Sequence, residues 1–381
     1  MSRRAVIAGV ALSDVGRAEH ATPYALAAQA ARRALADAGL HPSDVDGLGS
    51  TSLGTLPPVD MAEYLGLRPR WIDSTSVGGA SWEVMAAHAA DAIAAGHADV
   101  VLLTYGSTAR SDLRKGLRTA SLDWGSRGPQ QWEAPYGHTL ISKYAMAARR
   151  HMHEYGTTVE QLAEIAVSAR ANAATNPEAF HRDPITVDDV LSGPVIADPF
   201  TKLQCCIRSD GGAAAVIVAE DRAADLPKAP VHILGTGEHV SHMATSQWPD
   251  FTTGPAAVSG PLAFERAGVR PQDIDVCELY DAFTYMLLVT LEDLGFCPKG
   301  EAGAFVEKGR LTTAGELPTN TDGGGLSACH PGQRGLFLIV EAVRQLRGEC
   351  GERQVPEAEL ACVSGTGGWF CSSGTLILGR T

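Results

Sequence analysis

The sequence predicts an α/β protein built from two copies of one unit that face each other. Three observations carry this expectation. The strings AGLHPSDVD (residues 38–46) and AGVRPQDID (residues 267–275) match in length, glycine, proline and both aspartates, and an internal duplication is the economical explanation. In each half a glycine-rich turn precedes an Ala- or Leu-rich helix that ends at a glycine, and an apolar strand finishing in small residues follows it. The composition, 45% hydrophobic and 20% charged over 381 residues, supplies sizeable cores, and that length corresponds to two or three domains of roughly 150 residues.

Each element has a local reason. The start, MSRRAVIAGVALSDVGR, places a basic pair before an apolar stretch that ends at Ser13 and Asp14 without a cleavage pattern, so it reads as a first strand and not as a leader. Tyr24 to Ala38 repeats alanine and leucine at helical spacing and stops at Gly39, after which His41 to Leu48 leads into a strand. The turn Ser76 to Ala80 opens a helix ending at Gly96, and Asp99 to Gly106 is the strand after it. A polar insertion, about 107–192, then interrupts the pattern with SLDWGSRGPQQWEAPYG, containing Trp124, Trp132 and Tyr136, and with a helix from Val159 to Ala173. Connections beyond about 12 to 15 residues are usually functional, so the insertion reads as a dimer arm or as a cover over a ligand site. In the second half Leu262 to Ala267 closes a helix at Gly268, the loop Gly323 to Gly332 precedes a helix ending at Gly348, and Leu360 to Gly368 is the last apolar strand of the repeat. The expected division is 1–228 for the first half with its insertion and 229–381 for the second.

Composition excludes several classes. A formal charge of -13 rules out electrostatic nucleic-acid binding. No window reaches the ~18 uninterrupted apolar residues of a spanning helix; even Met85 to Leu103 contains His88, Asp91, His97 and Asp99, so no membrane association is expected. Eight cysteines, at 205, 206, 277, 297, 329, 350, 362 and 371, form no CxxC and no metal-ligand spacing, which fits reduced core residues in a cytoplasmic protein. The pairs His151/His153 and His239/His242 lack further ligands, so no metal is expected. Asp322 to Gly325 and Gly365 to Gly368 lack the Lys-Ser/Thr signature of a phosphate loop and read instead as loops that let backbone approach a ligand closely.

Four segments together carry a family resemblance: the glycine turn and alanine helix of Gly78 to Gly96, the run Cys205-Cys206-Ile207-Arg208-Ser209-Asp210-Gly211-Gly212-Ala213-Ala214, Tyr280-Asp281-Ala282-Phe283, and Cys329-His330-Pro331-Gly332. Over nearly its whole length the chain resembles the thiolase superfamily, and within it the sterol-carrier-protein-type thiolases and their lipid-transfer-protein relatives. The resemblance implies two duplicated halves in αβαβα layers with an inserted loop domain, and a homodimer. It also exposes a departure. A thiolase places a nucleophilic cysteine at the start of the first-half helix, where the helix dipole lowers its pKa. That position is Gly79 here, and no cysteine occurs before Cys205. The second family cysteine is replaced as well, with Ser364 at about its position and Cys362 and Cys371 flanking the loop as strand residues.

What the resemblance retains is a phenol and an imidazole. The family's NEAF or HDCF motif reads Tyr280-Asp281-Ala282-Phe283, and its GHP histidine reads His330. Members without the cysteine include retro-aldolases that cleave branched β-hydroxyacyl-CoA side chains in steroid degradation together with a small OB-fold partner. That subgroup implies retro-aldol cleavage to a ketone and a shortened acyl-CoA, with Tyr280 and His330 catalytic and their roles interchangeable. Tyr280 needs its phenol pKa lowered from near 10 to act as a base. Gly79, Asp281 and Gly367 are assigned to substrate contact, Gly79 by leaving space and Asp281 by orienting a neighbour. No cofactor is implied beyond the CoA of the substrate, for which Arg110, Arg114, Lys115 and Arg118 are candidate contacts. Two alternatives stay open: an inert lipid or acyl-CoA carrier, and an acyltransferase using Cys329 or another nucleophile.

Overall fold

A computed structural model describes residues 3–116, 128–136, 139–223 and 225–381. The first half runs β1 (Ala5–Leu12), α1 (Pro23–Ala38), β2 (Gly47–Gly49), α2 (Pro57–Leu65), β3 (Trp71–Asp73), α3 (Ser81–Ala94) and β4 (Val100–Ser107). The chain then leaves the sheet for α4 (Ala109–Arg114), α5 (Leu140–Tyr155), α6 (Val159–Ala174), α7 (Val187–Leu191) and the short strands β5 (Val195–Ala197) and β6 (Phe200–Thr201), and returns as β7 (Gly211–Ala219). After α8 (Glu220–Ala223) the second half comprises β8 (Val231–Val240), α9 (Ala256–Ala267), β9 (Val276–Leu279), α10 (Thr284–Asp293), α11 (Ala302–Phe305), α12 (Gly335–Arg347), β10 (Leu360–Gly367) and β11 (Ser372–Gly379).

The duplication is visible in the sheet. Its strand order is β3-β2-β4-β7-β1-β8-β11-β10-β9, and the halves join where Val6 and Ile7 of β1 pair with His232 and Val231 of β8. Outward from that seam each half repeats the same senses: β1–β7 and β8–β11 are antiparallel, β7–β4 and β11–β10 are antiparallel, and β4–β2 and β10–β9 are parallel. Helices α3 and α12 touch each other and strands of both halves, while α1 lies on β1, β4 and β7 and α9 on β8 and β11. The layers are therefore α, β, α, β, α, with one core on the α1 side of the first half and a larger one around α3 and α12. Being covered on both sides explains why β7 and β11 are buried at every position and read as continuous runs of small or apolar residues.

The matched nonapeptides perform the same structural tasks twice. Gly39 and Gly268 end α1 and α9 in the left-handed region, at φ 69 and φ 70, where glycine carries no Cβ penalty. The Asp44 carboxylate accepts from the His41 amide at 2.8 Å, and Asp273 accepts from the Arg270 amide at 2.8 Å. Asp46 accepts from the amides of Asp99 and Val100, the entry to β4. Asp275 accepts from those of Glu359 and Leu360, the entry to β10. Each second aspartate thus fixes where the next parallel strand begins.

Boundaries differ from the sequence reading in small ways. α3 ends at Ala94, two residues before Gly96, which adopts φ 75. Trp132 and Tyr136 lie in two short 3-10 turns, Pro129–Trp132 and Ala134–Tyr136, instead of an open loop. Trp124 and Arg118 lie outside the described residues. The excursion from the sheet continues past 192 to the start of β7. Cys362 is in β10 as expected, whereas Cys371 sits in the turn before β11. Among the described residues no helix is long and apolar enough to cross a membrane.

Because Asp46 and Asp275 each bind two strand-entry amides, Asp46→Ala and Asp275→Ala should each lower stability by about 1–3 kcal/mol. Urea unfolding checks this; an effect confined to one of the two would break the equivalence of the repeats.

Candidate active site

The site gathers at one end of the middle helical layer. β9 ends at Leu279 and Tyr280 follows at once, its amide donating to the Ser364 carbonyl of β10. His330 arrives on the loop between α11 and α12, which contains a π-type turn over Gly324–Ala328. The Tyr280 hydroxyl and His330 Nε2 are 3.1 Å apart, and the rings meet edge to face at 88° with centroids 5.6 Å apart. Two residues fifty positions apart in sequence are therefore one hydrogen-bonded pair.

Gly79 stands directly beneath them. A Cβ added there would lie 2.5 Å from the Thr366 carbonyl and still closer to the Tyr280 ring. The expectation was a space left by the missing cysteine. The structure corrects it: the Tyr280 ring fills that space, and side chain 79 and ring 280 exclude one another.

The electrostatics run opposite to a second expectation. Burial, reinforced by neighbouring ionisable groups, pushes the Tyr280 phenol well above its usual pKa instead of lowering it. Burial, with the positive charge of Arg334 second, pushes His330 down to about 4. Both partners are thus neutral at physiological pH, and neither a phenolate nor an imidazolium is preformed.

The loop bearing His330 is fixed by buried charge. Arg334, fully buried just before α12, reaches both Asp322 carboxylate oxygens at 2.5 and 2.7 Å and donates to the Cys329 carbonyl at 2.9 Å. Asp281 accepts from the amides of Gly325 at 2.7 Å and Leu326 at 3.2 Å, and lies 3.7 Å from Arg334 Nε. The Ser209 hydroxyl accepts from the His330 amide at 2.9 Å. Asp281 is therefore turned into the protein to hold the loop, which replaces its assignment to substrate contact. Gly367 is corrected likewise: a side chain there would strike the Val77 carbonyl and the Ser372 hydroxyl, so its close backbone approach is to the chain itself.

The candidate thiols and hydroxyl do not face this chemistry. Cys329 is buried, its thiol pushed up to about 12 by burial, with Ser209 Oγ 3.1 Å from its sulfur. Ser364 is buried within β10 and bonded to Thr375. His151 binds Thr157 and Glu292, and His242 binds Ser241 and lies against the Trp369 carbonyl.

Two adjoining chambers lie beside the pair, the first of them lined by His330. One, of about 500 Å3, is walled by His330, Gly332 and Phe283 with Leu140, Ile141 and Ile196 from the excursion. The second, of about 420 Å3, shares Cys205, Cys206 and Arg208 with the first and gathers Arg17, Arg110, Lys202 and Phe180. The guanidinium groups of Arg17 and Arg110 lie over the Phe180 ring at 5.3 and 5.0 Å. Among the described residues, Arg17, Arg110, Lys202 and Arg208 have no ion-pair partner. Of the cations expected to meet an anionic substrate, Arg110 is in this chamber, whereas Arg114 and Lys115 are exposed and bind Glu19. Arg17, Lys202, Arg208 and Arg334 escaped the sequence reading; Arg334, four residues after His330 in a glycine-rich loop, was the one with a local signal.

Comparison with known proteins places the chain among thiolase-like proteins. A family profile described as Thiolase C-terminal domain-like matches residues 237–380. The chain is 37% identical to a steroid side-chain-cleaving aldolase of Thermomonospora curvata, over 95% of each chain. It is 35% identical to a 17-hydroxy-3-oxo-4-pregnene-20-carboxyl-CoA lyase of Mycobacterium tuberculosis, over 96% of this chain and 97% of the relative. An acetyl-CoA acetyltransferase of Methanothermobacter thermautotrophicus is also 35% identical, over 96% and 97%. The solved structure of the Ltp2-ChsH2(DUF35) aldolase superposes with a TM-score of 0.89 at 35% identity, covering 99% of this chain and 97% of that one.

Two outcomes follow from the geometry. Gly79→Ala should lower stability by about 1–3 kcal/mol through overpacking, and the cost should shrink when Tyr280→Ala removes the ring; a double-mutant cycle in urea reads the coupling, and strict additivity would contradict the exclusion. By imidazole NMR, His330 should stay neutral as pH falls through 6.5 and gain charge only near 4. Its depressed pKa means that the unfolded chain binds the proton first, so this residue weakens the fold as pH drops across that interval.

Proposed function

The chain belongs to the thiolase superfamily, and from that premise we propose that it is a carbon–carbon lyase performing retro-aldol cleavage of a branched β-hydroxyacyl-CoA to a ketone and a shortened acyl-CoA. The observation that carries this is the exclusion at Gly79. An acyl-transferring thiolase needs a cysteine at position 79, whose side-chain volume the Tyr280 ring now fills, so the site keeps proton-transfer groups and loses the acyl acceptor. The names of the aldolase and lyase relatives support the same reading, and the acetyltransferase relative is outweighed by the missing nucleophile.

The steps balance without another reactant. The Tyr280–His330 pair takes up the hydroxyl proton as a unit, one group accepting while the proton between them shifts across 3.1 Å. The carbon–carbon bond breaks, its electrons pass to the thioester as an enolate, and the hydroxyl carbon becomes the ketone. The pair then returns the proton to the enolate carbon, giving the shortened acyl-CoA. Since both groups are neutral at rest, the transfer is concerted with bond cleavage and does not begin from a phenolate. No cofactor is required, because the CoA arrives with the substrate. Its phosphates fit the chamber of Arg17, Arg110, Lys202 and Arg208, since guanidinium and ammonium groups bind such anions well. The acyl part fits the adjoining chamber against Phe283, Leu140 and Ile196.

A steroid side chain is the acyl group favoured by the relatives, and a cytoplasmic site of action suits eight cysteines that are all unbridged. Two protein partners belong to the same reading. A second copy pairs along β3, an edge strand of the sheet, whose Ile72 is exposed; such an edge invites another strand. A small OB-fold protein covers the apolar surface that includes Trp132 and Tyr136, exposed by 74% and 89%.

The test is incubation with a branched β-hydroxyacyl-CoA bearing a steroid-like tertiary alcohol, with and without the OB-fold protein, followed by mass spectrometry. Ketone and shortened acyl-CoA should appear together. Tyr280→Phe should lower kcat by about 10²- to 10⁴-fold, and Arg208→Ala should act on KM. Binding without cleavage under either condition would make the protein an acyl-CoA carrier.

A further inference from the structure

Glu83 is the titratable side chain that the mechanism leaves unused although it lies against the site. It is on α3, one helical turn after Gly79, and has no exposed surface. Neither carboxyl oxygen has a hydrogen-bond partner among the described side-chain contacts. A buried polar group without a partner is costly, and an ionised one far more so. A leucine or methionine would occupy the place without that cost.

The place itself is built for this side chain. A Cβ added at Gly335 would lie 2.5 Å from Glu83 Oε2, one at Gly374 would lie 2.9 Å from Glu83 Cβ, and one at Gly365 would overlap the carboxyl group. Three glycines, from the start of α12, from β10 and from β11, leave room for one carboxyl. The same Gly335 position abuts the carbonyl of Gly79, and Gly79 in turn abuts the Tyr280 ring. Glu83, Gly335, Gly79 and Tyr280 therefore form one continuous stack.

The surroundings of the carboxyl contain little other charge. The glycines of α12, β10 and β11 that abut it present none. Arg334, next to Gly335, is turned toward Asp322 and the Cys329 carbonyl. Further along α3, His88 faces Asp73 and Glu238 on the outer side. Burial, offset only by its own amide, pushes Glu83 up to about 8, and a negative charge on it makes the Tyr280 phenol still harder to ionise.

Resting on the lyase reading, we infer that Glu83 is a positioning residue of the Tyr280–His330 pair: uncharged, it fills the glycine slot and keeps Gly79 and Tyr280 in register, and on ionising it stops the proton transfer, setting the alkaline limit of the reaction. The charge acts by opposing the negative charge that builds on the phenol oxygen as its own proton moves toward His330. Tyr280 alone would place that limit far higher.

The experiment is the pH profile of kcat for the full-length protein with its OB-fold partner on a branched β-hydroxyacyl-CoA, from pH 6 to about 10. The wild type should lose roughly tenfold per pH unit above about 8. Glu83→Gln, which fills the slot and cannot ionise, should lack that fall, while KM keeps the same pH dependence in both. An unchanged alkaline limb in Glu83→Gln would overturn the inference. Absence of cleavage at every pH would overturn the lyase reading instead. Should the variant not fold, infrared spectroscopy of the wild type decides: the carbonyl band of a protonated carboxylic acid should persist at pH 7 and vanish in step with kcat, and its absence at pH 7 would refute the proposal.

Discussion

A guanidinium with no access to water cannot stand without its counter-charges, and the site of this protein is organised around that constraint. Arg334 meets Asp322 through two short bonds and has Asp281 close to its Nε. The burial that works against its charge is more than offset by Asp322 and Asp281, which together raise its pKa. Removing one member of such a buried pair leaves the other uncompensated, at a typical cost of about 3–5 kcal/mol. The arrangement fixes three pieces of chain at once: Asp322 at the start of the glycine loop, Asp281 after β9, and the residues before α12. His330 lies between these anchors. Its position against Tyr280 follows from where Arg334 is held, and its depressed pKa from burial first and the Arg334 charge second.

The second constraint is steric. In the thiolase arrangement the start of the first-half helix presents a nucleophile; here the same turn presents a glycine, and the Tyr280 ring occupies the volume above it. The two changes support each other, since neither a larger residue at 79 nor an empty space at 280 would pack well. The result is a site that has given up covalent acyl transfer and retains a neutral phenol–imidazole pair. A neutral pair suits a reaction in which one proton leaves an alcohol and returns to carbon, because nothing need be taken from or released to solvent.

The middle helical layer connects these features. α3 carries Glu83 and follows the turn that holds Gly79, α12 follows directly on Arg334, and the two helices touch within the fold. Buried acids and a buried arginine lie beside a cluster of glycines whose missing side chains make the room. Such a concentration of ionisable groups in an apolar interior is expensive for stability and is a recognisable mark of a functional site.

Much of the fold was legible in the chain itself. The nonapeptides around Gly39 and Gly268 specified helix stops, strand entries and the duplication, because capping and turn chemistry depend on a few neighbouring residues whose identities suffice. The motifs around Tyr280 and His330, and the missing cysteine, were legible through the resemblance to the thiolases. What sequence reasoning misjudged depends on residues distant along the chain: that the Tyr280 ring fills the space at Gly79, that its phenol is pushed up and not down, that Asp281 and Gly367 are turned toward the protein, and that Arg17, Lys202 and Arg208 share a chamber with Arg110. Desolvation and steric exclusion are set by what surrounds a group in three dimensions. The sequence by itself determined the two repeats, their caps and the loss of the nucleophile, since each is a local property. Only the tertiary structure decided which groups stay neutral, which face the substrate and which face each other, because burial and proximity exist only once the two halves have closed on α3 and α12.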